Sequence, residues 1–269
     1  MMVAVSQLHS IPARLQAEPC ETNGRLAHPR LRPYVLGYGG FRSGSGAYVR
    51  HRVLPLNFTT LIIDFSGPYG LVTGPRSTST VHEQTWRHGV SIGLTPAGVF
   101  ALLGVPMREL VNGTARLADF LGRRDVELAE RLGRAPDWPT RFALLDERLT
   151  AWLAVDRELD GLMVDAWWRL HQSPDRLRIS ALADELSVSR RYLEVGFQRQ
   201  IGLSPATVAR ITRFQRAVSL LSQRSGLLRT AVDSGYADQS HFNREIRAMA
   251  GVTPTELCAF LQYRPLAAR

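Results

Sequence analysis

Residues 189–205 return, altered but in register, at residues 238–254. Ser189-Arg190-Arg191-Tyr192-Leu193-Glu194-Val195-Gly196-Phe197, running on to Gly202-Leu203-Ser204-Pro205, stands against Asp238-Gln239-Ser240-His241-Phe242-Asn243-Arg244-Glu245-Ile246, running on to Gly251-Val252-Thr253-Pro254. The offset is 49 residues throughout, so Leu193 matches Phe242, Phe197 matches Ile246 and Gly202 matches Gly251. A repeat constrains a fold more tightly than composition does, because both copies must build the same supersecondary unit.

Each copy reads as two helices and a turn. In the first, Ser180 is expected to cap a helix over Ala181 to Leu186, with Ser187 and Val188 in the turn and Ser189 capping the next helix. In the second, Thr230 to Ser234 is the short helix, Gly235 supplies the turn and Asp238 is the cap. Small residues stand where two helices must cross closely, Ala183 with Ser187 and Ala231 with Gly235. This is the helix-turn-helix pattern, twice. Between the copies, Ser204 caps and Pro205 opens a helix reaching about Leu221, roughly 25 Å long at about 1.5 Å per residue. With the helix widths added, the two second helices lie about 34 Å apart, one turn of B-DNA. Thr253-Pro254-Thr255-Glu256 is a capping box opening a last helix.

Helical spacing sorts the side chains. Leu193 and Phe197 face inward on one helix, Phe242 and Ile246 on the other. The opposite faces carry Arg191, Glu194, Val195 and Gln198, and Ser240, Asn243, Arg244 and Arg247. Arg190 and Gln239 lie in the first turns, and Arg199 is placed to reach phosphate. Arginine reads guanine, Asn or Gln reads adenine and Glu reads cytosine in the major groove. These ten polar residues are the expected DNA contacts. Val195 stands where the second copy has Arg244, and Gly196 costs its helix up to about 1 kcal/mol, so the second helix is expected to carry more of the specificity.

Charge agrees. The chain holds 33 basic residues against 24 acidic, a net of +9, and every basic residue is arginine. Residues 175–269 hold 14 Arg against 8 Asp and Glu, whereas residues 1–174 hold 19 against 16. The planar guanidinium suits phosphates and guanine edges.

Residues 175–260 resemble the DNA-binding domain of the AraC/XylS family of bacterial transcription regulators. The resemblance rests on Ala183, Ser189, Leu193, Phe197, Gly202, Pro205, Gly235-Tyr236, Gln239-Ser240-His241-Phe242, Arg244, Gly251 and Pro254. Residues 29–122 resemble more loosely the uncharacterised β-rich domain that precedes this module in many actinobacterial members. Val53-Leu54-Pro55 is similar to its sheet-entry motif, and residues 93–106, from Gly93 to Pro106, to its strand-to-helix motif. Leu56-Asn57 departs from the Asp-Gly that usually follows. The resemblance implies a promoter-binding regulator that acts on RNA polymerase, with activation the usual sign, and a chain with only two cysteines, Cys20 and Cys258, is expected in a reducing cytoplasm. A small-molecule effector and a homodimer remain open alternatives for the N-terminal part, as does a protein partner.

The expected fold class is α+β: an N-terminal antiparallel β-rich domain with helices, then an all-α double helix-turn-helix domain. The expected organisation is an extension over 1–28, a β-rich sensing or association domain over 29–137, a helical linker or dimerisation segment over 138–174, and the DNA-binding domain over 175–269, divided near Ser173-Pro174-Asp175. Strands are expected within 30–95, notably Phe58–Phe65, Val49–Leu54 and His88–Leu94, as an antiparallel sheet or small barrel. Residues 97–104, 107–111, 117–121 and 124–133 read as helical. So do 139–155, with Phe142, Leu145, Leu149 and Trp152 in a stripe, and 159–171, with Leu159, Met163, Ala166 and Leu170. These stripes are expected to support self-association.

Other chemistries lack their residues. No run approaches the 18 apolar residues of a membrane span, and residues 1–12 lack a secretory signal's pattern. His28, His51, His82 and His88 show no metal-ligand spacing and are expected to be solvent-facing or structural, and the five tryptophans core or interface residues. Cys20 and Cys258 are too few for the zinc-activated thiolate of a methyl-acceptor repair protein. No catalytic residue, metal or cofactor is expected.

Overall fold

The computed structural model describes residues 7–13, 20–43, 49–67, 70–153, 159–172 and 177–262. The expected division at residues 173–175 lies outside the described residues. Among the described residues the N-terminal part holds nine strands: β1 Ser10–Pro12, β2 Cys20–Arg25, β3 Val35–Ser43, β4 Val49–Val53, β5 Thr59–Asp64, β6 Leu71–Thr73, β7 Thr80–Trp86, β8 His88–Leu94 and β9 Thr114–Arg116. They form two antiparallel sheets, one in the order β1-β4-β7 and one in the order β2-β3-β8-β5-β6-β9.

Strand β5 shows why the sheets hold together. All six of its residues are buried. Side chains alternate across a strand, so Ile62 joins Val53, Leu71 and Trp86 in a small core, while Leu61 and Ile63 join the large core shared with the helices. A strand covered on both faces shows a continuous apolar run instead of alternation. Two strands lie within the stretch read as an extension, Ser10–Pro12 paired with β4 and Cys20–Arg25 paired with β3. Strand β9 lies beyond the 30–95 stretch in which strands were expected, in the gap between the stretches 107–111 and 117–121 read as helical; it is three residues long and its outer two are exposed, so it carries no apolar alternation.

Helices α1 Pro96–Leu103, α2 Ala118–Leu121, α3 Arg123–Arg134, α4 Trp138–Trp152 and α5 Gly161–Gln172 follow, with a single 3-10 turn over Met107–Leu110 in place of a helix at 107–111. Most of each apolar stripe packs inside the chain: Phe142, Leu145, Leu149, Met163, Ala166 and Leu170 are buried, while Trp152 and Leu159 are half-buried. On α4, Phe142 stacks on Tyr38 at 5.8 Å between ring centres, and Leu145 and Leu149 are buried. Asp146 pairs with Arg25 and accepts from the Tyr38 hydroxyl at 2.8 Å, which fastens α4 to the sheet. On α5, Met163, Ala166, Trp167 and Leu170 are buried against the C-terminal helices.

The C-terminal part is helical: α6 Ile179–Glu185, α7 Arg190–Gln200, α8 Pro205–Ser222, α9 Leu227–Asp233, α10 Gln239–Ala250 and α11 Pro254–Gln262. Among the described residues no helix is long and apolar enough to cross a membrane.

Candidate nucleic-acid interface

The two copies build the same corner. Val188 N–H donates to Ala183 carbonyl at 3.0 Å, and Tyr236 N–H donates to Ala231 carbonyl at 3.0 Å. Ala183 and Ala231 are both buried, which lets the helices cross closely. The turn residue takes a left-handed conformation in each, Ser187 at φ 55° and Gly235 at φ 76°. These pairs are 48 residues apart, whereas the caps Ser189 and Asp238 are 49 apart, so the second turn holds one extra residue, Ala237. Ser189 accepts from Tyr192 N–H at 3.1 Å and Asp238 from His241 N–H at 2.7 Å, as their positions require. Thr253 and Glu256 close their capping box at 2.7 and 3.2 Å.

Ser180 is not a cap. Helix α6 starts at Ile179 with Arg178 before it and no side-chain cap bond, and α9 starts at Leu227 behind Gly226, three residues earlier than expected. The earlier starts turn Leu182 with Ala183, and Thr230 with Ala231, into the core.

The outward faces are those that spacing predicts. On α7, Leu193 and Phe197 are wholly buried, while Arg190, Arg191, Gln198 and Arg199 are exposed. Val195 is 55% exposed, an apolar side chain facing solvent. Glu194 is half-buried and accepts from Arg190 Nε at 2.9 Å, one turn away. On α10, Phe242 and Ile246 are wholly buried, and Gln239, Ser240, Asn243, Arg244 and Arg247 are exposed. Helix α8 spans 18 residues between the copies, about 27 Å at 1.5 Å per residue.

Gly196 has a packing reason. A methyl group there would lie 2.2 Å from the sulfur of the buried Met163 on α5, so the glycine lets α5 close on α7. Three features escaped the sequence. Tyr192 is 51% exposed on the outer side of α7. Arg210 on α8 pairs with Glu245 on α10. Arg108, from the turn at Met107–Leu110, lines an open hollow of about 470 Å³ with Glu194, Val195, Gln198 and Arg199. No sequence signal joins Arg108 to a helix 91 residues away.

In the N-terminal part, Trp86 gathers three imidazoles, with ring centres at 5.9 Å for His9, 5.0 Å for His51 and 6.0 Å for His82. Burial, with His51 beside it, pushes His9 down to about 3, and burial pushes His51 down to about 4. Among the described residues no three His, Cys, Asp or Glu side chains form a metal-holding group. His9 stands outside the sequence-based set of His28, His51, His82 and His88.

Two equivalent capped helices, each with a buried apolar stripe and an exposed polar face, define a double helix-turn-helix unit. Residues 182–259 match the family model described as a helix-turn-helix domain. That stretch is a helix-turn-helix domain, and it follows an antiparallel β-rich N-terminal part. Among solved structures, a DNA-binding transcriptional dual regulator from Escherichia coli K-12 is 23% identical over 41% of this chain and 98% of its own, with a TM-score of 0.35. An AraC-type regulator from Chromobacterium violaceum is 24% identical over 39% of this chain and 96% of its own, with a TM-score of 0.34. ToxT from Vibrio cholerae is 13% identical over 91% of this chain and 100% of its own, with a TM-score of 0.48. No curated protein matches the chain.

Proposed function

We propose that the protein is an AraC-type transcription regulator that binds promoter DNA by placing α7 and α10 in successive major grooves and activates transcription by acting on RNA polymerase there, in the cytoplasm. The observation that carries this reading is the pair of exposed polar faces on two equivalent helices joined by the 18-residue α8. Arg244, Asn243, Ser240 and Gln239 read bases, with Arg247 beside them; Glu194, Gln198 and Arg191 do so on α7. Arg190 and Arg199 meet phosphates. Val195 fits a thymine methyl, and the second helix then carries more of the polar readout. No catalytic chemistry, metal or cofactor belongs to this reading.

The N-terminal part serves regulation. A polar interior favours a small-molecule effector over pure association: Arg76 Nε, His82 Nε2 and Trp86 Nε1 are buried without a hydrogen-bond partner among the described residues. Homodimerisation or docking of a protein partner through this part is the alternative reading.

Selection of bound sequences from a random pool, followed by titration at several salt concentrations, tests the reading. Neutralising about six phosphates gives a log–log slope near −5. A slope flatter than about −2 removes the basic faces from the contact.

A further inference from the structure

The N-terminal β part grips both recognition helices at the same place, their C-terminal ends. At α7, Arg108 Nη1 donates to the Arg199 carbonyl at 2.9 Å. At α10, the Ala250 carbonyl accepts from Ser79 Oγ at 2.7 Å and from Arg52 Nη1 at 3.4 Å, and Ser79 N–H donates to the Met249 carbonyl at 2.7 Å. The last carbonyls of a helix have no partner within it and carry the negative end of its dipole, so a guanidinium is the apt cap for each.

The glycine that ends each helix makes the approach possible. Gly202 at φ 80° and Gly251 at φ 68° are equivalent residues of the repeat. A methyl group on Gly202 would fall 2.7 Å from the Arg108 backbone and 2.6 Å from Val111, and one on Gly251 would fall 3.0 Å from Arg52. A third hold lies midway. Gln215 on α8 donates to the Pro55 carbonyl at 2.8 Å, and Asn57 donates to the Thr212 hydroxyl at 2.9 Å.

We infer that the β part is a brace that sets the spacing and orientation of the two recognition helices, with Arg52 and Arg108 as the positioning residues at its two ends. This rests on the reading that both helices enter the grooves. A helix-turn-helix pair joined by α8 alone can swing about its ends. A pair held at three points on one rigid sheet structure cannot, and it discriminates between half-site spacings. Each added base pair moves one half-site by about 3.4 Å along the axis and turns it by about 35° at roughly 10.5 base pairs per turn.

The test uses the full chain and the operator recovered by selection, with the gap between half-sites changed by one and two base pairs in each direction. The wild type is expected to lose about tenfold or more in affinity per step. Arg52→Ala/Arg108→Ala is expected to keep binding each half-site but to flatten that discrimination to about threefold or less. Arg52→Lys/Arg108→Lys restores it, because an ammonium also caps a carbonyl. Ser79→Ala, which removes one hydroxyl and no charge, weakens the hold at α10 alone and provides a variant with little risk to folding. Equal loss at every spacing, with discrimination kept, makes the arginines plain phosphate contacts and overturns the brace. Unchanged discrimination in all variants overturns it as well. A wild type that selects no sequence overturns the groove reading itself, and the brace falls with it.

Discussion

Asn57 and Thr212 are joined by a 2.9 Å hydrogen bond shut away from solvent, linking the entry to β5 with the middle of α8. The same asparagine accepts from His171 Nδ1 at 2.9 Å, and its carbonyl accepts from Trp167 Nε1 at 3.0 Å. Asn57 thus occupies the position where the sequence departs from the Asp-Gly of similar chains, and the departure serves the joint between the two halves. Replacing its side chain strands a buried imidazole N–H, a loss of about 1–3 kcal/mol. Asn57→Ala is expected to lower unfolding free energy by that amount in urea titrations, with a melting curve that stays single.

Arg244 is exposed on α10 opposite Phe242 and Ile246. Arg244→Ala is expected to cost about 1–3 kcal/mol on the selected operator and to relax preference at one base pair, with a G·C pair the expected partner. Arg199→Ala is expected to weaken selected and scrambled DNA alike. Paired titrations at fixed salt, with a melting curve for each variant, check both. Equal losses on the two DNAs for Arg244→Ala would make it a backbone contact.

Gly196→Ala pits helix propensity, a gain of about 1 kcal/mol, against overpacking of Met163, a cost of about 1–3 kcal/mol. The buried sulfur wins, and the variant is expected to be less stable than the wild type. In a Met163→Ala background the sign reverses, because the obstruction is gone. A double-mutant cycle by denaturation measures this coupling, and additive effects contradict it.

Acid should weaken the fold through its buried imidazoles. Burial lowers His171 from 6.5 to about 3, alongside His9 at about 3 and His51 at about 4. Below pH 6.5 the unfolded chain takes up protons that the folded chain refuses, so stability rises with pH. It is full above about pH 6.5 and drains as pH falls toward the folded values, by about 2 kcal/mol for each such group by about pH 5. Urea unfolding at about pH 7.5 and about pH 5 reads the difference, and His171→Gln is expected to reduce it. Equal stability at the two pH values would falsify the buried neutral state.

Leu149 and Leu170 are each 1% exposed within their own chain. Leu149→Glu and Leu170→Glu are therefore expected to unfold the protein, each by about 3 kcal/mol or more from a buried unpaired charge. Sedimentation and circular dichroism separate this from simple dissociation; a folded variant of lower mass would return these helices to a subunit interface.

The repeat made the C-terminal half readable because caps, turn residues and core positions are local signals that occur twice. Ser189, Asp238, Ser204 and the Thr253–Glu256 box fall where short-range hydrogen bonding puts them. The two short leading helices were misjudged at their starts, since Ile179 and Leu227 follow residues that supply no side-chain cap. The N-terminal half was harder to read. Strand β5 was legible from its β-branched and aromatic run, but β1 and β9 are three residues long, too brief for alternation to register. The apolar stripes of α4 and α5 were visible, but a stripe names no partner. Contacts such as Arg108 with Arg199 depend on how the two halves dock, which no spacing within either half encodes.

Leu8 is stitched to Gln215 by two hydrogen bonds, its N–H donating to Oε1 at 2.8 Å and its carbonyl accepting from Nε2 at 3.0 Å. The partners are 207 residues apart in the chain. On a ribosome adding about 5–20 residues per second, Leu8 is made about 10–40 s before its glutamine exists. Throughout that interval one edge of the nascent structure stands unfinished, and only the arrival of the C-terminal half closes it. The order of synthesis thus makes completion of the β-rich part wait upon the helix-turn-helix part.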